Sequence, residues 1–167
     1  MSASRTLDPI VYRPIGVVRS PFATLSGSPL QSVAARHARG RVELEPEYAP
    51  GLNDLDGFSH LHLITHLHLA RPGGMEVVPF LDDRPRGVFA TRSPRRPNAI
   101  GLSVVRLLAV EGSVLHVEEL DLVDGTPVLD LKPFVPAFDN RETELIGWFS
   151  GKTDLVHEIR ADDRFEP

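Results

Sequence analysis

The chain has 167 residues, 41% of them hydrophobic, which is enough for one domain with its own core. The absence of cysteine excludes a disulfide framework and a thiolate metal site, and no apolar run approaches the ~20 residues of a membrane span, so a soluble cytoplasmic protein is expected. Net charge is −5, the wrong sign for holding nucleic acid by bulk electrostatics, so any RNA partner has to meet a local basic patch.

Fifteen prolines, thirteen glycines and 7% aromatics predict many turns and short strands, hence a mainly β protein. In chain order, residues 1 to 9 read as a loose tail. Val11 to Arg19 reads as a strand broken by Pro14, and residues 20 to 40 as a long loop with a turn or two of helix in Gln31 to Arg39. Gly40 to Leu44 is a second strand, followed by a polar connection from Pro46 to Asp56.

Phe58 to Leu69 alternates with period two, placing Leu61, Leu63, Leu67 and Leu69 on one face and His60, His62, His66 and His68 on the other. A single four-histidine metal site is excluded by strand rise, since ~3.4 Å per residue puts His60 and His68 roughly 27 Å apart. Two separate histidine pairs would each need ligands from elsewhere, and no metal is expected.

After a loop over residues 71 to 86, Gly87 to Thr91 is predicted as a strand, and Ile100 to Val110 as another with a bulge at Val104-Val105. Turns at Glu111-Gly112-Ser113 and Asp124-Gly125 then predict strands over Val114 to Leu122 and Val128 to Phe134, giving three consecutive antiparallel strands across 100 to 134. A cluster around Trp148 and a short helix from Asp154 to Arg160 complete the chain. No GxGxxG pattern occurs and helices do not separate the strands, which excludes a Rossmann domain.

The segment Arg92 to Pro97 is a rigid basic loop. Ser93-Pro94 and Arg96-Pro97 restrict the backbone, so the guanidinium groups of Arg92, Arg95 and Arg96 are held ready for an anion at small entropic cost. With Arg84 and Arg86 they place five arginines within thirteen residues, opposed nearby by Asp82 and Asp83.

Four blocks, Ile15 to Pro21, Phe58 to Leu61, Gly87 to Gly101 and Asp121 to Pro136, resemble in order and spacing the TrmO/TsaA-like family of S-adenosylmethionine-dependent tRNA methyltransferases. The resemblance covers most of residues 12 to 137. It implies a small antiparallel β-barrel with long loops over residues 10 to 140, a C-terminal extension over 141 to 167 with a short helical tail, and a homodimer with the site near the subunit interface. The implied reaction is methylation of N6 of threonylcarbamoyladenosine beside the tRNA anticodon. Carried over by position, the implied cofactor contacts are Pro29, Leu30, Gln31, Leu67, His68, Arg92, Leu102, Asp124, Gly125, Thr126 and Pro127.

The chemistry of these residues suits the donor: Arg92 can pair with its carboxylate, and the Asp124-Gly125-Thr126-Pro127 turn can offer polar groups to its adenosine. The N6 lone pair is delocalised into the carbamoyl group, so a base helps; His60, His68, Asp124 and Asp130 are candidates, with Lys132 available to stabilise the resulting charge. Arg84, Arg86, Arg95 and Arg96 are the RNA-guiding candidates, and Phe134 or Phe138 can stack on a splayed base of the anticodon loop. Leu30 stands where the family has arginine, Arg95 and Ala99 replace its usual aromatic and proline, and His62 replaces a large aromatic. The ~30 residues after the barrel are too short for the C-terminal domain of the longer members. These departures keep two alternatives open: methyl transfer to another RNA or a small molecule, and a non-catalytic barrel that binds a ligand or metal.

Overall fold

The period-two pattern of β3 (His60–His66) does what alternation dictates: Leu61, Leu63 and Thr65 are buried, while His60, His62 and Ile64 face outward. The computed structural model describes residues 7–165; of the tail expected over residues 1 to 9, the first six lie outside the described residues. The same inward alternation recurs at Val18 in β1 (Gly16–Arg19), Val42 and Leu44 in β2 (Gly40–Leu44), Leu115 and Val117 in β7 (Val114–Glu118) and Val128 in β8 (Pro127–Pro133). It also holds at Val105 and Leu107 in β6 (Ile100–Glu111). Each strand therefore has one apolar face to hide, and the sheet closes on itself in the order β1-β2-β7-β6-β3-β8, leaving no edge. Each buried leucine or valine contributes about 1.5–3 kcal/mol of transfer free energy, so this one cluster carries the fold.

Several sequence expectations are corrected. The first strand begins at Gly16 rather than Val11. Of the strand expected over Gly87 to Thr91, Gly87 alone is in one, at the end of β5 (Arg86–Gly87), which pairs with β4 (Glu76–Val77) beside the barrel; Val88 to Ala90 forms a tight turn closed by Thr91 donating N–H and Oγ1–H to the Val88 carbonyl. The irregularity of β6 falls between Leu107 and Ala109, not at Val104-Val105, because the paired strand β7 loses register there. A second shift lies between Ile64 and Thr65 where β3 meets β8.

Strands β6 and β7 form a hairpin, but β8 pairs with β1 and β3, so 100 to 134 is not a three-strand meander. Strand β7 stops at Glu118, Glu119 takes a left-handed φ of 65°, and Leu120, Leu122 and Val123 turn into the barrel mouth as a plug. Apolar residues that read as strand continuation are thus spent on closing an end. Leu52 and Leu55, in the connection before β3, join the same core from the other end.

Among the described residues the one α-helix is the single turn α1 (Pro136–Asp139), just before the C-terminal extension. Thr153 to His157 is a tight 3-10 turn where a short helix over Asp154 to Arg160 was expected. Beyond it the chain lies against the first long loop: Pro29 bridges Arg160, Gly27 N–H donates to Ala161 O (2.7 Å), and Ala161 N–H donates to Ser28 O (3.0 Å). Lys152 and Arg86 converge on the nearly buried Asp82 at 2.9 and 2.6 Å and hold its carboxyl far below the usual range. Trp148 donates Nε1–H to Ala90 O at 2.7 Å, so the extension also clamps the turn that precedes Arg92.

Candidate functional site

Where the plug Leu120 to Val123 meets the loops, the chain leaves a small cleft of about 60 Å³. Its walls come from four separate stretches: Leu25 and Ser28 of the first long loop, Leu67 to Ala70 just beyond β3, Pro94 of the proline-stiffened loop, and Asp121 to Val123 with Thr126. Glycine makes the β3 side possible. Gly101 lies opposite Thr65, and a Cβ there would sit 2.5 Å from Thr65 Oγ1 and 2.8 Å from Leu67 Cδ2, so Leu67 reaches its place only over a bare backbone. Leu67 is further fixed by its N–H donating to Ala99 O at 2.7 Å.

The Asp124-Gly125 turn is docked rather than free. Gly125 takes φ +79° and donates its N–H to Val18 O at 2.9 Å; Asp124 N–H donates to Phe22 O at 2.8 Å. The Asp124 carboxylate accepts from Ser20 N–H at 3.0 Å and lies 3.9 Å from Arg19, facing the first strand's exit rather than the cleft floor. Thr126 is buried with its hydroxyl donating to Val123 O at 2.6 Å, which locks the turn at the cleft wall. On the opposite side, exposed Arg92 donates to Gln31 Oε1 at 2.6 Å, tying the basic loop to the first long loop. Arg96 donates to the carbonyls of Thr91 and Ser93 at 3.2 and 3.4 Å and so stiffens that loop from within.

Of the residues named from sequence, Leu67, His68 and Thr126 line the cleft; Pro29, Leu30, Gln31, Arg92, Gly125 and Pro127 belong to the segments around it. Burial on its cleft side, with His66 beside it, holds the His68 imidazole below its usual value, hence neutral at pH 7. Leu102 stands apart: it is 59% exposed on the outer face of β6, next to buried Gly101 and Ser103.

His60, Asp130 and Lys132 are not brought to the cleft. His60 begins β3, at the far end from Leu67, with Nδ1 against Ser59 Oγ at 2.9 Å; Asp130 and Lys132 pair with each other at 2.6 Å on the outer face. His62 faces Asp139 at 3.4 Å and Phe134 at 5.2 Å between ring centres. The histidine face is therefore divided among separate partners, and among the described residues no group of three or more His, Cys, Asp or Glu could hold a metal ion. In the basic set, Arg84 is exposed, Arg86 is bound to Asp82, and Arg95 lines a separate groove of about 280 Å³ beside Gly73 and Arg164.

Sequence reasoning missed Asp121. It sits on the cleft floor, accepts from Ser103 Oγ at 2.6 Å, and burial raises its carboxyl to about 6 against the pull of Ser103, Arg92 and the Ser32 backbone. The signal was present in the sequence as one acid inside the apolar run Leu120-Asp121-Leu122-Val123. A carboxyl whose folded value lies above its unfolded one contributes stability that is complete below about pH 4 and lost as pH rises through about 6. Asp121→Asn is thus expected to gain in melting temperature relative to the wild type as pH goes from 4 to 7. A difference independent of pH would contradict this.

Comparison with known proteins shows the family. The model of the tRNA-methyltransferase O N-terminal domain matches residues 17–140. The chain belongs to the TrmO family. It is 47% identical over 156 residues to a probable S-adenosyl-L-methionine-binding protein of Pyrococcus abyssi, covering 93% of this chain and 85% of that one. The tRNA (adenine(37)-N6)-methyltransferase of Escherichia coli is 40% identical over 135 residues, 75% of this chain and 57% of its own. A crystal structure of TrmO from Pseudomonas aeruginosa superposes with TM-score 0.73 at 38% identity, covering 87% of this chain and 63% of that one. The TrmO-family chain described here thus spans somewhat under two thirds of these two bacterial relatives. The barrel expected from the sequence is the fold shared with the Pseudomonas aeruginosa structure.

Proposed function

We propose that this TrmO-family barrel binds S-adenosylmethionine in the cleft between Pro94 and Thr126 and methylates tRNA, at N6 of threonylcarbamoyladenosine beside the anticodon. The observation that carries the reading is convergence: the arginine loop, the Asp124–Pro127 turn, the end of β3 and the first long loop, far apart in sequence, share one cleft. The relatives' printed activities, S-adenosyl-L-methionine binding and tRNA adenine methylation, support the cofactor and substrate class. When bound, the cofactor supplies an electrophilic methyl group on a sulfonium.

The protein's own residues orient and dry the site. Arg92, held by Gln31, offers its fork to a carboxylate, and the docked Asp124–Pro127 turn sets buried Thr126 in the cleft wall. Leu67, Leu122 and Val123 exclude water. Holding donor and N6 in line supplies much of the rate. Of the candidate bases, His68 is best placed to take the N6 proton, since it lines the cleft and is neutral.

The acting form is a homodimer in the cytoplasm. Leu102 and Ile100 (46% exposed) sit on the rungs opposite Ile64 and His66, an apolar strip that a second copy would cover, and Leu102 would meet a bound donor only across such a boundary. Leu30, in place of arginine, favours one rival: methyl transfer to another RNA or a small molecule.

Mass spectrometry of tRNA nucleosides before and after incubation with purified protein and S-adenosylmethionine tests this. Conversion of threonylcarbamoyladenosine to its N6-methyl form is expected. Donor turnover without that product would favour the rival, and no donor binding would end both.

A further inference from the structure

The cofactor reading leaves Asp121 without a task. Among the described residues that line the cleft it is the only carboxylate, set between Leu122, Val123, Leu67 and Pro94. An asparagine would accept the same hydrogen bond from Ser103 Oγ without the cost of burying a charge, so the hydroxyl does not explain the acid. Burial raises the group to about 6, yet it remains ionised at pH 7, held by Ser103, the Ser32 backbone and the field of Arg92. A retained, costly charge in a cleft points to an opposite charge on what enters it.

The lining says which kind. Apart from Asp121, the polar side chains of the lining are His68 and the Ser28 and Thr126 hydroxyls, which donate to Leu25 O and Val123 O at 2.6 Å each, and the other walls are apolar. A sulfonium has three carbon substituents and no donors, so apolar walls with one carboxylate suit it. We propose that Asp121 is the counter-charge to the sulfonium of the methyl donor, and that it distinguishes S-adenosylmethionine from the neutral thioether left after transfer. This rests on the cofactor reading above and adds the residue that allows product to leave.

Calorimetry on the full chain, wild type and Asp121→Asn, with S-adenosylmethionine and S-adenosylhomocysteine tests it. The wild type is expected to prefer the sulfonium by about tenfold or more, and the variant to bind both equally, with thioether affinity within about twofold of wild type as proof that the cleft is intact. A donor analogue carrying an ammonium nitrogen in place of sulfur should follow the sulfonium, because it keeps the charge. A variant that retains the wild-type preference, or that loses both ligands in equal measure, would overturn the proposal. Wild-type protein that binds neither ligand would instead overturn the cofactor reading on which it stands.

Discussion

Gly101→Ala should lose about 1–3 kcal/mol of stability and, with it, most donor affinity, because the new methyl has no place to go. Its Cβ would lie 2.5 Å from Thr65 Oγ1, 2.8 Å from Leu67 Cδ2 and 3.3 Å from Leu67 Cγ. Thr65 is fully buried and β-branched, so it cannot swing aside. Leu67 yields instead, and Leu67 is a wall of the cleft. A fall in melting temperature of about 2 to 10 °C is expected for a domain of this size, together with about tenfold weaker binding of S-adenosylmethionine. Gly57, where a Cβ would meet nothing within 4 Å, is the control. Unchanged melting and binding in Gly101→Ala would show that the close approach of β6 to Leu67 does not shape the site.

Arg92→Ala should behave in the opposite way, with stability within about 0.5 kcal/mol of wild type and binding weakened by about 10- to 100-fold. The side chain is exposed and its hydrogen bond to Gln31 joins two surface loops, so the fold has little to lose. A charge-assisted pair with a carboxylate contributes about 1.5–3 kcal/mol, which is the source of the expected loss. Gln31→Ala should give a smaller loss in the same direction, since it removes the partner that orients the guanidinium rather than the charge. Titration calorimetry and thermal melting on the same samples separate the two effects. Wild-type affinity in Arg92→Ala would remove its proposed role.

What could be read from the sequence follows from how local each signal is. Strand β3 was legible because its leucines recur every second residue, and the basic loop because Ser93-Pro94 and Arg96-Pro97 restrict the backbone wherever they occur. The fate of Gly87 to Ala90 was not, because a Gly-Val-Phe-Ala run suits a strand and only the Thr91 hydrogen bonds and the Trp148 clamp at Ala90 decide for a turn. Leu120 to Val123 deceived for a related reason: an apolar run does not say whether it lies in a sheet or plugs its end. The division of the basic set was equally hidden, since Arg86 is claimed by Asp82 and Arg96 by its own loop's carbonyls, contacts that composition cannot rank. Asp121 shows in the sequence as one acid inside an apolar run, but its place on a cleft floor depends on contacts far away in the chain.

A crystal structure of the protein grown with S-adenosylmethionine tests most directly whether the barrel-end cleft is where the donor sits. Density is expected between Pro94 and Thr126, with the donor's carboxylate against Arg92 and its sulfur facing Asp121. Density lying instead in the larger groove beside Gly73, Arg95 and Arg164, with the barrel-end cleft vacant, would contradict it.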